Sequence, residues 1–329
     1  MCGTFFLREK GGLSMGETIE FPDKLERLFI LGKQAFDAED FLKALNYFTE
    51  SYQHQPTIEL NQYIVQTHLT LGQPKESFQY IKEFEKVYQK EVILQPLYFD
   101  TLLKLKLFLT IHKWLNQLED DSVKESFNQS LETAEQFWIT VDNQEYLKRR
   151  INFENLSENF VADQVMAMKE INYLTKYDFL EIVKGLLCSN HLSPLIRAQL
   201  IDELIQLKEE TEITTLDVYG EEQRLNLATV SRLSQTILSH PLYLALSDYI
   251  ENNEPSQEKL VMGVLKTHLG MSYPFLNKMT EDIDSWKLAY LLYFGLIENE
   301  ELMSKHNILK RYDEIKKLDN IMMNTMTKL

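Results

Sequence analysis

The stretch from Leu25 to Pro56, LERLFILGKQAFDAEDFLKALNYFTESYQHQP, constrains the fold of this chain more than any other. Apolar Leu28, Leu31, Ala35 and Phe36 recur at the spacing of one helix face. Asp40 then marks a break, and Phe41, Ala44, Leu45, Phe48 and Tyr52 resume the same period. Two short antiparallel helices satisfy that pattern, with Pro56 standing where the second must stop. Gly32 and Ala44 are small enough for two helix backbones to approach, while Leu28, Leu31, Phe41 and Phe48 fill the space around them. A bulkier residue at Ala44 is expected to overpack the pair by about 1–3 kcal/mol. Composition agrees: of only 11 glycines, four (Gly3, Gly11, Gly12, Gly16) fall in the first sixteen residues, which leaves a body poor in turn formers and rich in helix formers.

These residues resemble one tetratricopeptide repeat, a helix pair with a period of roughly 34 residues. Leu28 takes the bulky place usually held by Trp or Leu, and Leu31-Gly32 is the Leu-Gly pair. Phe36 belongs to the aromatic pair closing the first helix, Ala44 is the small residue of the second, Phe48 its aromatic and Pro56 the terminal proline; Ser51 replaces the second small residue. A weaker copy follows 33 residues on, with Ser77 for Ala44, Gly72 in the turn, and Phe78 and Ile81 in the next helix. Asn61, Val65 and His68 depart from the pattern, and Pro74 opens the second helix, where proline is tolerated. A pair of repeats cannot bury its own faces, so further helices are expected behind it.

Residues 93–118 and 122–141 read as two amphipathic helices beyond normal repeat length, with further helical segments from Asn143 and Asp163. Ser193-Pro194 reads as a capped helix start. Behind that helix, Ile213, Thr215, Asp217 and Tyr219 alternate with Thr214, Leu216 and Val218, and alternation returns after Gly220, which predicts a β-hairpin near 212–227. Helices are expected again around 229–251, interrupted at His240-Pro241, then around 255–270, 283–297 and 300–317. The fold class that follows is all-α: an antiparallel helix-pair superhelical array over 21–141, a helical continuation over 142–192, and a helical C-terminal domain over 193–329 carrying one small hairpin. This order resembles that of tetratricopeptide-containing proteins of low-GC Gram-positive bacteria.

The formal charge of −16, from 34 Lys plus Arg against 50 Asp plus Glu, repels nucleic-acid phosphates and anionic lipid surfaces, and no basic patch overrides it. The acidic run from Asp202 through Glu222 reads as a solvated face. Cys2 and Cys188, far apart in sequence, suggest neither a disulfide framework nor a zinc site and fit a reducing cytoplasm. The longest apolar stretch, Leu288 to Ile297, is shorter than the roughly 20 residues a bilayer span takes.

Two signals near the start look catalytic. Cys2-Gly3 resembles the start of class II glutamine amidotransferases, which place a β-rich sandwich behind the cysteine; this chain offers helices. Gly12-Leu13-Ser14-Met15-Gly16 fits the serine-hydrolase elbow, but neither the preceding strand nor the following βαβ units are present in the pattern. Lys10-Gly11-Gly12 can be encoded by a ribosome-binding sequence at start-codon spacing from Met15. Residues 1–20 are therefore expected to be a leader without fixed structure, with translation starting at Met15. The seven histidines lack metal-ligand spacing, and no phosphate-binding fingerprint occurs. No catalytic residue, metal or cofactor is expected.

The repeat resemblance implies a peptide-binding groove lined by the first helices of successive repeats, here Glu26, Phe29, Lys33, Phe36, Gln62, Gln66 and Leu69. Phe29 is the leading contact residue; packing on a neighbouring segment is its structural alternative. The clamp for a C-terminal carboxylate used by chaperone-binding members is not expected, since Phe29 and Lys33 occupy two of its positions. The reading is a non-enzymatic scaffold for a protein or peptide. One alternative is a regulatory sensor with a small-molecule pocket near residues 190–275, and another is a self-associating protein in which degraded repeats cover one another.

Overall fold

The computed structural model describes residues 21–141, 143–297 and 305–326, so the expected leader over residues 1–20, Cys2 and the Gly12–Gly16 motif lie outside the described residues, as does the part of the last expected helix before 305. The described chain is helical apart from a single two-stranded antiparallel sheet. It divides into two compact units, one running through Thr101 and the other from Leu102 onward.

In the first unit, α1 (Phe21–Asp37) packs along α2 (Phe41–His54), and α3 (Ile58–Thr70) along α4 (Pro74–Glu83). The first turn is made by Glu39 in the left-handed region and by Asp40, whose carboxylate caps α2 by accepting from the Lys43 amide at 3.3 Å. Gly72 takes the left-handed place in the second turn with φ of +71°, and Pro74 opens α4. Thr57 caps α3 by accepting from the Leu60 amide. Ala44, Phe48 and Ser77 are fully enclosed, Leu28 is buried, and Leu31 is half-buried, while Pro56 stands exposed beyond the end of α2. A methyl added at Gly32 would lie 2.5 Å from Phe48 Cε1, so glycine there is what lets α1 meet that ring. The unit continues through α5 (Glu85–Lys90) into α6 (Gln95–Lys104).

The long helix expected from Ile93 is broken. It ends at Lys104, and α7 (Phe108–Leu115) starts after a turn in which Lys106 adopts φ of +61° and the Leu107 amide donates to Leu102 O at 3.0 Å. The run LKLFL is apolar on more faces than one helix can bury, and turning back encloses Phe108, Leu109 and Ile111. α8 (Asp121–Val141) is the single long helix expected there, followed by α9 (Asn143–Glu154), α10 (Val161–Ala167) and α11 (Lys176–Leu187).

α12 (Pro194–Gln206) begins at Ser193, but the Ser193 side chain makes no capping bond; its amide instead donates to Gln164 Oε1 at 3.0 Å. The hairpin is present as β1 (Glu212–Leu216) and β2 (Glu222–Asn226), with Glu212 opposite Asn226 and Leu216 opposite Glu222. His240-Pro241 does separate two helices, α13 (Leu233–Leu238) and α14 (Pro241–Asn253), with His240 Nδ1 accepting from the Leu242 amide. α15 (Glu258–Ser272), the short α16 (Asn277–Thr280), α17 (Ile283–Tyr293) and α18 (His306–Met326) complete the second unit around Leu246, Leu265, Trp286, Tyr290 and Ile315. No described helix is long and apolar enough to cross a membrane.

The acidic run is not simply a solvated face. Asp202 accepts from Arg232 Nε at 2.9 Å and from the Leu233 amide at 2.8 Å, Glu203 pairs with Lys113 at 2.7 Å, and Glu209 pairs with Lys176 at 2.8 Å. Carboxylates that read as a patch in sequence are spent singly on α13, α7 and α11.

Candidate peptide-binding groove

On α1 the predicted groove residues Phe29, Lys33 and Phe36 fall on one stripe, and all three are half-buried. What brings them together is Tyr63 on α3. Its ring stacks on Phe48 at 5.0 Å between centroids, meets Phe29 edge-on at 5.5 Å and meets Phe36 at 6.0 Å. Phe29 also lies 6.1 Å from Phe48, so it packs on a neighbour and still keeps an accessible edge. Offset aromatic pairs of this kind contribute about 0.5–1.5 kcal/mol each beyond the area they bury.

Lys33 extends over this platform, its ammonium 5.3 Å from the Phe29 centroid and 5.5 Å from that of Tyr63. Ring quadrupoles hold a cation at such a place with about 0.5–1 kcal/mol at an exposed site. Among the described residues no carboxylate lies within ion-pair distance of Lys33, whereas Lys24 on the same helix pairs with Glu50 at 3.2 Å. The result is a positive charge fixed on an aromatic floor with its outward hydrogens uncommitted.

The remaining predicted residues relate to this platform differently. Gln62, Gln66 and Leu69 are half-buried on α3, and among the described residues the two glutamine side chains make no hydrogen bond. Glu26 is exposed and lines a separate shallow depression of about 230 Å³ with Arg27, Ile30, Leu31 and Gln34.

Beneath the platform lies a polar knot built on Asn61. Asn61 is fully enclosed at the place where the repeat pattern has its bulky residue; its Nδ2 donates to Tyr52 Oη and to Tyr80 O, each at 3.0 Å, and its Oδ1 accepts from Tyr88 Oη at 2.9 Å. Tyr52 donates onward to Glu83 at 2.5 Å. Burial, with the Glu83 carboxylate beside it, pushes the Tyr52 hydroxyl up to about 12. Burial raises the Tyr88 hydroxyl as well, so the Tyr52 and Tyr88 phenols are both neutral donors at physiological pH. Neither Asn61 nor Tyr63 stands out in the sequence as a site residue. Asn61 shows only as a polar residue where a bulky apolar one is usual, and Tyr63 repeats the place of Ile30, which faces solvent.

In the second unit, His268 is fully buried, with Nδ1 2.9 Å from Tyr290 Oη and Nε2 3.1 Å from Asp319 Oδ1. Tyr293 donates to the other oxygen of Asp319. These contacts fasten α18 to α15 and α17. Among the described residues no group of three His, Cys, Asp or Glu side chains is placed to hold a metal ion. The cleft near the hairpin holds about 260 Å³ and has mixed polar and apolar walls, while an apolar groove of about 510 Å³ runs along α8 beside Phe108, Phe137 and Val141. No protein family, curated protein or solved structure matches this chain.

Proposed function

We propose that this chain is a non-enzymatic binding protein of the bacterial cytoplasm, a tetratricopeptide-like scaffold that takes an extended peptide across α1 and α3. The observation that carries this reading is the Lys33 ammonium held over Phe29 and Tyr63 without a carboxylate of its own among the described residues. Such a platform accepts an apolar side chain on the rings and a carboxylate on the lysine, while the free amides of Gln62 and Gln66 can meet a peptide backbone. The preferred partner is thus an acidic segment with an aliphatic or proline residue beside the acid.

Selection from a displayed peptide library on the full chain tests it. The wild type should enrich acidic peptides, Phe29→Ala should lose the enrichment, and Lys33→Glu should turn the preference towards basic peptides. The same peptides recovered with all three proteins would remove the groove from the mechanism.

A further inference from the structure

Towards the end of α8, Ala134, Phe137 and Val141 follow one another at the spacing of a single helix face. An apolar stripe of that kind is normally covered by a neighbouring element. This one is open, with Phe137 64% and Val141 66% exposed. Together with Trp138, and with Leu103 and Phe108 on either side of the turn between α6 and α7, it lines the groove of about 510 Å³. All of these residues belong to the second unit. The two hydroxyls of the lining are used within α8 itself, Ser130 donating to Ser126 O at 3.2 Å and Thr133 to Gln129 O at 2.9 Å. What the walls offer a ligand is therefore mainly carbon.

An open apolar face alone does not identify an occupant. Two polar features at Trp138 do. Lys106 is the one charged residue lining the groove among the described residues, and its ammonium lies 3.1 Å from the Trp138 ring centroid. With three N–H donors it can take a further acceptor beside the contacts it already makes. Trp138 itself is only 3% exposed, and its indole N–H has no hydrogen-bond partner among the described residues. A buried donor left in that state is destabilising, and an acceptor brought by a ligand removes the penalty. A cation and an unmet N–H thus share one ring, and both call for an anionic acceptor at the end of an apolar body.

We propose that this groove binds a fatty-acid-type ligand, its alkyl chain lying against Phe108, Phe137 and Val141 and its carboxylate received by the Lys106 ammonium and the Trp138 indole N–H. The carboxylate draws the ammonium off the ring and takes the N–H as its second donor. The volume falls inside the usual range for small-molecule sites, roughly 300–1,000 Å³. A chain of charge −16 repels anions in general, so a carboxylate that does bind reports a local cation. The site stands whether or not α1 and α3 take a peptide.

Titration of the full chain with octanoate, decanoate and dodecanoate, followed by calorimetry and tryptophan fluorescence, tests it, with decan-1-ol and decyltrimethylammonium as head-group controls. The carboxylates should bind at a single saturable site and tighten about four-fold for each methylene added. The alcohol should bind at least ten-fold more weakly than decanoate, and the ammonium not at all. Lys106→Gln should weaken decanoate about ten-fold and leave decan-1-ol unchanged, as loss of one charge-assisted hydrogen bond does. Phe137→Asp, on an exposed side chain, should abolish binding of both, and Trp138→Phe should weaken decanoate several-fold and remove the fluorescence response. No carboxylate binding, decan-1-ol bound as tightly as decanoate, or binding unchanged by Phe137→Asp overturns the proposal. So does light scattering that shows a dimer broken by Phe137→Asp and indifferent to decanoate, which would seat a second copy of the chain in the groove.

Discussion

Asn61→Ala is the most informative single change in the first unit, because its cost can be worked out bond by bond. The substitution deletes two donated hydrogen bonds and one accepted. Tyr52 keeps Glu83 as a partner, so its loss is small. The Tyr88 hydroxyl, fully enclosed, keeps no other hydrogen bond among the described residues. The Tyr80 carbonyl sits at the end of α4, where the Phe84 amide bonds to Ile81 O instead, and it loses the side chain that satisfied it. A buried hydroxyl left alone costs about 1–3 kcal/mol and a partly buried carbonyl less, so Asn61→Ala should destabilise the first unit by about 2–4 kcal/mol. Adding Tyr88→Phe removes one of the orphans. In the wild type that change strands Asn61 Oδ1 and costs about 1 kcal/mol, whereas in the Asn61→Ala background it should recover about 1 kcal/mol or more.

All three tryptophans, at positions 114, 138 and 286, lie in the second unit, so their fluorescence does not report this change. Segment-resolved amide hydrogen exchange over residues 58–90 does, through the protection lost in each variant. If Tyr88→Phe costs the same with and without Asn61, the two groups are uncoupled and the knot is not what holds α3 to α4.

Gly32→Ala should cost about 1–3 kcal/mol, since its methyl would fall 2.5 Å from a Phe48 ring that is itself held by stacking on Tyr63; Phe48→Leu in the same background should restore part of the loss, measured by the same exchange experiment. His240 and His268 are both held below the ordinary histidine value of 6.5, chiefly by burial, which Asp319 partly offsets at His268. Each therefore stays neutral in the folded chain while the unfolded chain takes up a proton, so stability is full above pH 6.5 and falls below it by up to about 1.4 kcal/mol per pH unit per histidine. Urea midpoints followed by tryptophan fluorescence between pH 7.5 and 5.5 should show this fall, and His240→Gln with His268→Gln should flatten it; an equal slope in the double variant would assign the effect to other groups.

The elements of this fold were legible wherever one short stretch carried its own reason to form. Asp40, Gly72 and Pro74 punctuate the first four helices, Gly220 between two alternating runs announces the hairpin, and His240-Pro241 separates α13 from α14. The break at Lys106 was not legible, because LKLFL carries no glycine, proline or capping residue and the turn exists only through what it buries. The candidate site divides in the same way. Phe29, Lys33 and Phe36 share a stripe that periodicity reveals, but their floor is Tyr63 on another helix, at a place that in the preceding helix pair faces solvent. Asn61 is the sharper case: a repeat pattern scores it as decay, while the structure spends it on Tyr52, Tyr80 and Tyr88, residues up to 27 positions away. A polar residue at a buried position must find partners or destabilise the fold, so a polar residue where a pattern expects a bulky apolar one marks where long-range hydrogen bonding should be sought. By that reasoning the lapse at Asn61 and the platform above it are connected, because the α3 that carries Tyr63 to the Phe29 edge is the helix that the Asn61 knot holds in place.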